Sequence, residues 1–161
     1  MADAKTKTDK KTSRSSGNVW SDEEKAAMQA SARERKAASR RGPLTDAEQR
    51  AVGEADIRAK LAELPDASDR AMAERFHELV TGAVPKLMPR TYYGMPAYAR
   101  DGKTICFFKP ASKFKERYAT FGFEQNAKLD DGSMWPTSYA LTEMTKANEA
   151  RIVELVKKAA G

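Results

Sequence analysis

The stretch AYARDGKTICFFK, residues 97–109, decides the fold, because it predicts two strands joined by a tight turn. Asp101-Gly102 stands at the centre of that turn, and this dipeptide is the strongest short-range indicator of a two-residue β-hairpin. The second strand contains Ile105-Cys106-Phe107-Phe108, which is apolar on both of its faces. Such a strand is typical of the covered centre of a sheet. We therefore expect a central hairpin with helices packed against it.

Segments on either side of this hairpin predict the rest of the domain. Short strand-like segments at 92–93 and 117–123 are bounded by Gly, Pro and Asp residues. A closing amphipathic helix is predicted over 152–159. The order of helices, then strands, then a helix indicates an α+β fold: a small antiparallel sheet flanked by N-terminal and C-terminal helices.

Two predicted helices precede the strands. A capping box at Thr45 opens the first, although Gly53 can divide it in two. Ser68 is placed to cap the second, whose apolar residues recur at helical spacing over 72–84. The domain is therefore expected to span residues 43–161.

The residues before Pro43 predict a separable N-terminal extension. Residues 1–17 contain no Leu, Ile, Val or aromatic residue, so we expect a disordered basic tail. Residues 18–42 predict a charged helix that begins at a Ser21 capping box. This helix has no apolar stripe, so we expect it to be solvated, with Trp20 as its anchor if it docks at all.

Most of the net positive charge lies in this extension. The chain carries a net charge of +6, and residues 1–42 hold eleven Lys or Arg against six Asp or Glu. The remaining eighteen basic and seventeen acidic residues leave the domain almost neutral. Weak, non-specific nucleic-acid binding through the extension is therefore one hypothesis, and a merely solvated basic face is the other. The residues for such binding would be Lys10, Lys11, Arg14, Arg40 and Arg41.

The sequence contains no signature of secretion or membrane insertion. No apolar run reaches the roughly 18 residues of a transmembrane helix, and residues 1–17 lack the apolar core of a signal peptide. Cys106 is the single cysteine, so no intramolecular disulfide is expected, and we interpret it as a reduced, buried thiol. We expect a cytoplasmic protein.

A resemblance to a known family covers this domain. The run Tyr93-Gly94-Met95-Pro96-Ala97-Tyr98, followed by Gly102-Lys103 and Phe107-Phe108, resembles the YdhG-like domains of unknown function. The resemblance extends over roughly 57–160. It implies a compact, helix-flanked antiparallel sheet in the cytoplasm, with no established reaction, and members are often labelled intracellular iron chaperones with a frataxin-like role.

The residues do not form a catalytic or metal-binding motif. His77 is the sole histidine and has no cysteine at ligand spacing, Cys106 lies on a buried strand, and no glycine-rich phosphate loop is present. The acidic residues of the domain, such as Asp130 and Asp131, are interleaved with basic residues. No acidic stripe that could bind iron therefore stands out. We expect no catalytic residue, no metal site and no cofactor.

A binding function is the remaining prediction. Aromatic residues concentrate between positions 92 and 135, either as the core beneath the sheet or, with nearby basic residues, as a pocket for a small anion. The candidate ligand-binding residues are Tyr93, Met95, Pro96, Tyr98, Lys109, Lys113, Arg117 and Trp135. The sequence thus favours a non-enzymatic binding or carrier domain with an unnamed ligand, and the alternative is a nucleic-acid-associated protein. It leaves the oligomeric state open.

Overall fold

A five-stranded antiparallel meander, with strand order β1-β2-β3-β4-β5, forms the centre of the domain and confirms the predicted α+β class. The structure, a computed structural model, describes residues 19–161. The predicted tail over 1–17, with Lys10, Lys11 and Arg14, lies outside the described residues. The strands are β1 Met88–Tyr92, β2 Met95–Arg100, β3 Lys103–Lys109, β4 Ala119–Phe123 and β5 Ser138–Leu141. The helices are α1 Asp22–Arg41, α2 Asp46–Ala62, α3 Ala67–Ala83, α4 Ala111–Phe114 and α5 Lys146–Ala160.

Two tight turns join the first three strands, and an irregularity between Tyr98 and Ala99 shifts the register of β2 against β3. The predicted Asp101-Gly102 turn joins β2 to β3, and both residues have positive φ, 50° and 76°. A second two-residue turn, Tyr93-Gly94, joins β1 to β2 with φ of 52° and 74°. Met95 begins strand β2, because the reversal is completed one residue earlier.

The main core lies on the face of the sheet that is covered by α3 and α5. Phe76 of α3 is fully buried at its centre, with ring centroids 5.9, 5.2 and 5.0 Å from those of Tyr98, Phe108 and Phe121. The prediction that β3 is a covered strand is confirmed for Cys106 and Phe108, which are fully buried. Burial of such side chains is the main favourable contribution to folding.

Phe107 points to the opposite face of the sheet and lies over Gly122 of the neighbouring strand. A Cβ at position 122 would overlap the Phe107 ring, so only glycine allows this ring to rest on the strand. This second face is the one on which the candidate site lies.

Helices α2 and α3 differ in two details from their prediction. Gly53 does not divide α2, which runs unbroken past it; the glycine is needed because a Cβ there would overlap the carbonyl of Pro89. Asp66, not Ser68, caps α3, since its carboxylate accepts the Asp69 N–H at 2.7 Å. A carboxylate is as good an N-cap as a hydroxyl, and Pro65 places Asp66 at the helix entrance.

Helix α1 begins at the predicted Ser21 capping box and ends before Gly42. It is docked on the domain, which differs from the solvated helix that its sequence indicates. Ala27 is buried, whereas Trp20, the expected anchor, is 53% exposed. The helix approaches closely because alanine is small, and small residues produce no apolar stripe in the sequence.

Candidate ligand-binding cleft

A cleft of about 1120 Å³ opens between α1, α2 and the outer face of strands β1 and β2. Its size is that of a small-molecule site. We call it the Arg90 cleft, after the arginine at its centre. Arg90 is on β1 and pairs with Ala97 of β2, so its side chain lies on the face opposite Tyr98 and the main core.

Helix α1 is held as a wall of the cleft by its Glu34 carboxylate. The two Glu34 oxygens accept the backbone N–H groups of Tyr93 and Gly94 at 3.0 and 2.8 Å. Charge-assisted hydrogen bonds of this kind are among the stronger ones in proteins. At the C-terminal end of α1, Arg41 lies 3.4 Å from Asp56 of α2. The wall is therefore attached at two points along its length.

Some N–H donors of the Arg90 guanidinium have no acceptor among the described residues. One terminal nitrogen donates to the carbonyl of Gly102 at 3.1 Å, and the other donates to the Thr104 hydroxyl. Its Nε is buried and has no hydrogen-bond partner. Within residues 19–161 no carboxylate lies within ion-pair distance of this guanidinium. Burial lowers the pKa of Arg90, because the charge is partly desolvated and the nearby Glu34 carboxylate offsets this effect only in part.

The charged groups around Arg90 leave an excess of positive charge. In the described lining, seven basic side chains stand against five acidic ones. Several of the acids are already engaged: Glu34 by the turn amides, Asp56 by Arg41 and Glu63 by Lys60 at 3.2 Å. The basic residues that make no ion pair within the described chain are Arg33, Arg35, Lys86, Arg90 and Arg100. Of these, Arg100 donates to the carbonyl of Ala160, away from the cleft.

Two tyrosines form the aromatic end of the cleft. The rings of Tyr92 and Tyr93 meet edge to face, with centroids 4.7 Å apart. Tyr92 also lies near Phe107, and its hydroxyl faces Glu124 at 3.5 Å. Tyr93 is 38% exposed, so part of its ring is open to a ligand.

Of the predicted ligand-binding residues, Tyr93 and Lys113 are brought together. The Lys113 ammonium donates to the carbonyl of Gly94 at 2.5 Å, beside the amides that hold Glu34. Burial lowers the pKa of Lys113. Helix α4 positions this lysine, and α4 is itself fixed by Asp69, which accepts the N–H of Ser112 at 3.0 Å. Lys113 thus braces the turn behind the cleft and has one donor already committed.

Three other predicted residues are part of the packing and do not line the cleft. Met95 is buried, and Pro96 and Tyr98 are fully buried. The Tyr98 hydroxyl contacts His77 Nδ1 at 2.9 Å on the core side of the sheet. These residues alternate along β2 in the motif, but a strand sends alternate side chains to opposite faces, so they cannot all reach one ligand.

The remaining predicted residues do not line the cleft. Lys109 pairs with Glu116 at 2.5 Å and lies over the Phe114 ring, while Arg117 is exposed and lies over Tyr118. Trp135 lines a separate pocket of about 410 Å³ near Leu129. The expected convergence of Lys109 with Arg117 on one anion is not seen, because Lys109 already has a carboxylate partner.

Sequence reasoning missed the two polar groups that the fold places most specifically. Arg90 lies in a segment that was not recognised as a strand, although Met88, Arg90 and Tyr92 alternate as one face of a strand would. For His77 the sequence indicated only the absence of a cysteine at ligand spacing, but its Nε2 lies 2.6 Å from Glu54 of α2. The contacts of Arg90 and of His77 are made with residues that are distant in the chain, so no local sequence pattern predicts them.

The nucleic-acid residues predicted on α1 have different surroundings. Arg40 is exposed, whereas Arg41 is the residue paired with Asp56. Among the described residues, no group of three His, Cys, Asp or Glu side chains is placed to hold a metal ion. Each helix within 19–161 is too short or too polar to cross a bilayer.

No protein-family model matches the chain, and comparisons with curated proteins and with solved structures return no match. The resemblance to YdhG-like domains therefore stays a prediction from the motif at residues 93–108.

Proposed function

We propose that this protein is a non-enzymatic binding domain whose ligand is a small anion, a carboxylate or a phosphate, held by Arg90 in the Arg90 cleft. The observation that carries the proposal is the unpaired, half-buried guanidinium of Arg90 with its buried Nε. An unpaired buried charge is costly for the folded state. An anion in the cleft beside the guanidinium would offset that cost.

The form of the side chain also favours an anion. A guanidinium presents its N–H groups in a planar fork that matches carboxylate and phosphate oxygens. The Gly102 and Thr104 contacts hold Arg90 in place before a ligand arrives. Such preorganisation lowers the entropy lost on binding.

Calorimetric titration with inorganic phosphate, sulfate and simple carboxylates at fixed ionic strength tests the proposal. We expect Arg90→Gln to weaken the best anion by at least about tenfold, in line with roughly 1.5–3 kcal/mol for a charged hydrogen bond. The matched control is Arg117→Gln, which removes an exposed arginine outside the cleft and should leave the affinity unchanged.

Two results would count against this site. Equal anion affinity of the wild type and Arg90→Gln would remove Arg90 from the function. A loss of affinity in Arg117→Gln alone would place the site at Arg117, one of the candidate residues that the sequence suggested. Melting curves of each variant establish that it is folded.

The alternative function is association with nucleic acid through the basic extension. In the described chain it is favoured only by the exposed arginines of α1, such as Arg33, Arg35 and Arg40. Retention of nucleic acid by the full chain and by its Arg90→Gln variant, but not by a chain that starts at Pro43, would favour this alternative, and the retention should fall steeply with salt.

A further inference from the structure

The position of Tyr93 is unusual for an aromatic residue. It is the first residue of a two-residue turn and has φ of 52°, a conformation that favours Gly, Asn or Asp. Its ring is 38% exposed and packs edge-on against Tyr92. The core cluster of the described chain does not include Tyr93, so packing does not explain the aromatic side chain. Strained, exposed positions of this kind concentrate at binding sites.

Tyr93 and Arg90 belong to the same cleft. Both line it, and the Tyr93 ring packs against Tyr92, whose side chain lies on the same face of β1 as that of Arg90. One small molecule that carries both a negative charge and a flat ring can therefore contact the guanidinium and the tyrosine together. A nucleobase is one such flat ring, and a tyrosine can stack on a base of any identity, because every base has a π face.

The surrounding charge favours phosphate over a single carboxylate. Arg33 and Arg35 on α1 and Lys86 before β1 are exposed, line the same cleft and make no ion pair within residues 19–161. A carboxylate has one charge and needs only the fork of Arg90. A phosphate has up to two charges and three terminal oxygens, which the additional cations can share.

We propose that the ligand of the Arg90 cleft is a nucleotide, with its phosphate at Arg90 and its base stacked on Tyr93. This inference rests on the proposed anion-binding function and adds the chemical class of the ligand. The same chemistry is offered by a free nucleotide and by one unit of a single strand, and a short oligonucleotide distinguishes these sources.

The experiment compares inorganic phosphate, adenosine, AMP and a short oligothymidylate by calorimetry at fixed ionic strength, on the wild type and three variants. Arg90→Gln removes the phosphate contact. Tyr93→Asn removes the ring and keeps a residue that suits the turn, so the hairpin should stay intact. Arg117→Gln is the matched control. We expect AMP to bind at least about tenfold tighter than inorganic phosphate, as one stacked base allows.

The variants should separate the two contacts. Tyr93→Asn should bring AMP down to the affinity of phosphate and leave phosphate itself unchanged, whereas Arg90→Gln should weaken both. An oligothymidylate that binds tighter than AMP, and loses affinity in both variants, would identify a single strand as the source of the nucleotide.

The outcomes also separate this inference from the proposed function. If Arg90→Gln weakens phosphate but Tyr93→Asn leaves AMP unchanged, the anion site stands and the nucleotide is wrong. If neither phosphate nor AMP depends on Arg90, both proposals are wrong. Melting of Tyr93→Asn at or above the wild-type temperature would show that the loss of affinity is not a loss of fold.

Discussion

At the scale of single residues, the polar chain Glu54–His77–Tyr98 joins α2, α3 and β2. Tyr98 is fully buried, and burial raises the pKa of its hydroxyl well above the usual value, so the hydroxyl keeps its proton. When the imidazole is neutral, the hydroxyl donates to His77 Nδ1 at 2.9 Å, and the ring proton on Nε2 is donated to Glu54 at 2.6 Å. His77 thus satisfies a buried donor and links it to a partly exposed carboxylate.

Replacing His77 by Ala should destabilise the domain by about 1–3 kcal/mol, the cost of leaving a buried hydroxyl without a partner. Urea denaturation measures this change. The control is Tyr98→Phe made in both backgrounds. Removing the hydroxyl should cost less when His77 is already absent, because the hydroxyl is then unpaired. Additive free energies would show that the two side chains act independently.

Cys106 should be unreactive in the native protein. The side chain is fully buried, and burial raises its pKa, so the nucleophilic thiolate is suppressed. A thiol reagent should therefore modify Cys106 at the rate at which the domain opens, and urea should accelerate the reaction in step with unfolding. Rapid, stoichiometric modification of the folded protein would contradict the burial of β3.

At the scale of elements, α1 contributes to the cleft but not to the core. The cluster of buried residues around Phe76 includes side chains from α2, α3 and α5 and none from α1. The contacts of α1 with the domain are instead made by Ala27, by Glu34 at the Tyr93-Gly94 turn, and by ion pairs such as Glu23 with Lys115 at 2.7 Å. Exposed pairs of that kind are weak.

A chain that starts at Pro43 should therefore fold and melt cooperatively. Its melting temperature should change by only a few degrees, since about 1 kcal/mol corresponds to roughly 4 °C for a domain of this size. The same chain should lose most of its phosphate affinity, because the wall that carries Arg33 and Arg35 is gone. Scanning calorimetry and phosphate titration measure the two effects. A loss of cooperative melting would place α1 in the folding core.

In the full chain, Glu34→Ala tests the attachment of α1 more specifically than this truncation does. It leaves every basic residue in place and removes only the carboxylate that binds the turn amides. We expect faster amide hydrogen exchange along α1 and at Tyr93 and Gly94, with the core helices unchanged. Unchanged exchange along α1 would show that the remaining contacts are sufficient to hold the helix.

The elements that the sequence predicted well are those with a local cause. The Asp101-Gly102 turn and the capping boxes at Ser21 and Thr45 each depend on residues within a few positions of one another, and each is found where expected. The Tyr93-Gly94 turn was less evident, because a tyrosine occupies a position that glycine or asparagine usually fills. Docking of α1 was not predictable from periodicity, since a carboxylate and small alanines make the contact.

At the scale of the whole molecule, the two faces of the sheet differ in the residues that they carry. One face carries the aromatic core around Phe76, and the other carries Arg90 and the open cleft. Aromatic residues of the 92–135 segment are divided between these faces: Tyr98 is in the core, and Tyr93 is at the cleft. The interpretation of the aromatic segment as core is confirmed for Tyr98. The interpretation of the segment as part of a ligand pocket stays a prediction.

The candidate site was only partly predictable because its residues come together through the fold. Tyr93 was identified from its motif, but Arg90 is defined by the Gly102 carbonyl and by a cleft wall from α1. Lys109 and Arg117 were predicted as ligand-binding residues because they flank the same loop. A basic side chain is available to a ligand only if no carboxylate already pairs with it, and Lys109 is paired with Glu116.

The last prediction concerns metal, because the YdhG-like resemblance implies an iron-carrier role. A hard cation such as ferrous iron needs several free carboxylate oxygens on one face. Many acids of the domain already have partners: Asp69 holds α4 through Ser112, and Glu149 is bound by Arg75 at 2.7 Å. We expect ferrous iron or zinc to bind the full chain no tighter than about tens of micromolar, since affinity follows the number and type of ligands. Anaerobic titration measures this affinity, with Asp130→Asn combined with Asp131→Asn as the control for an exposed acidic pair. A stoichiometric submicromolar site that this double variant abolishes would restore the iron role, and it would place that role at the loop before β5, far along the chain from Arg90.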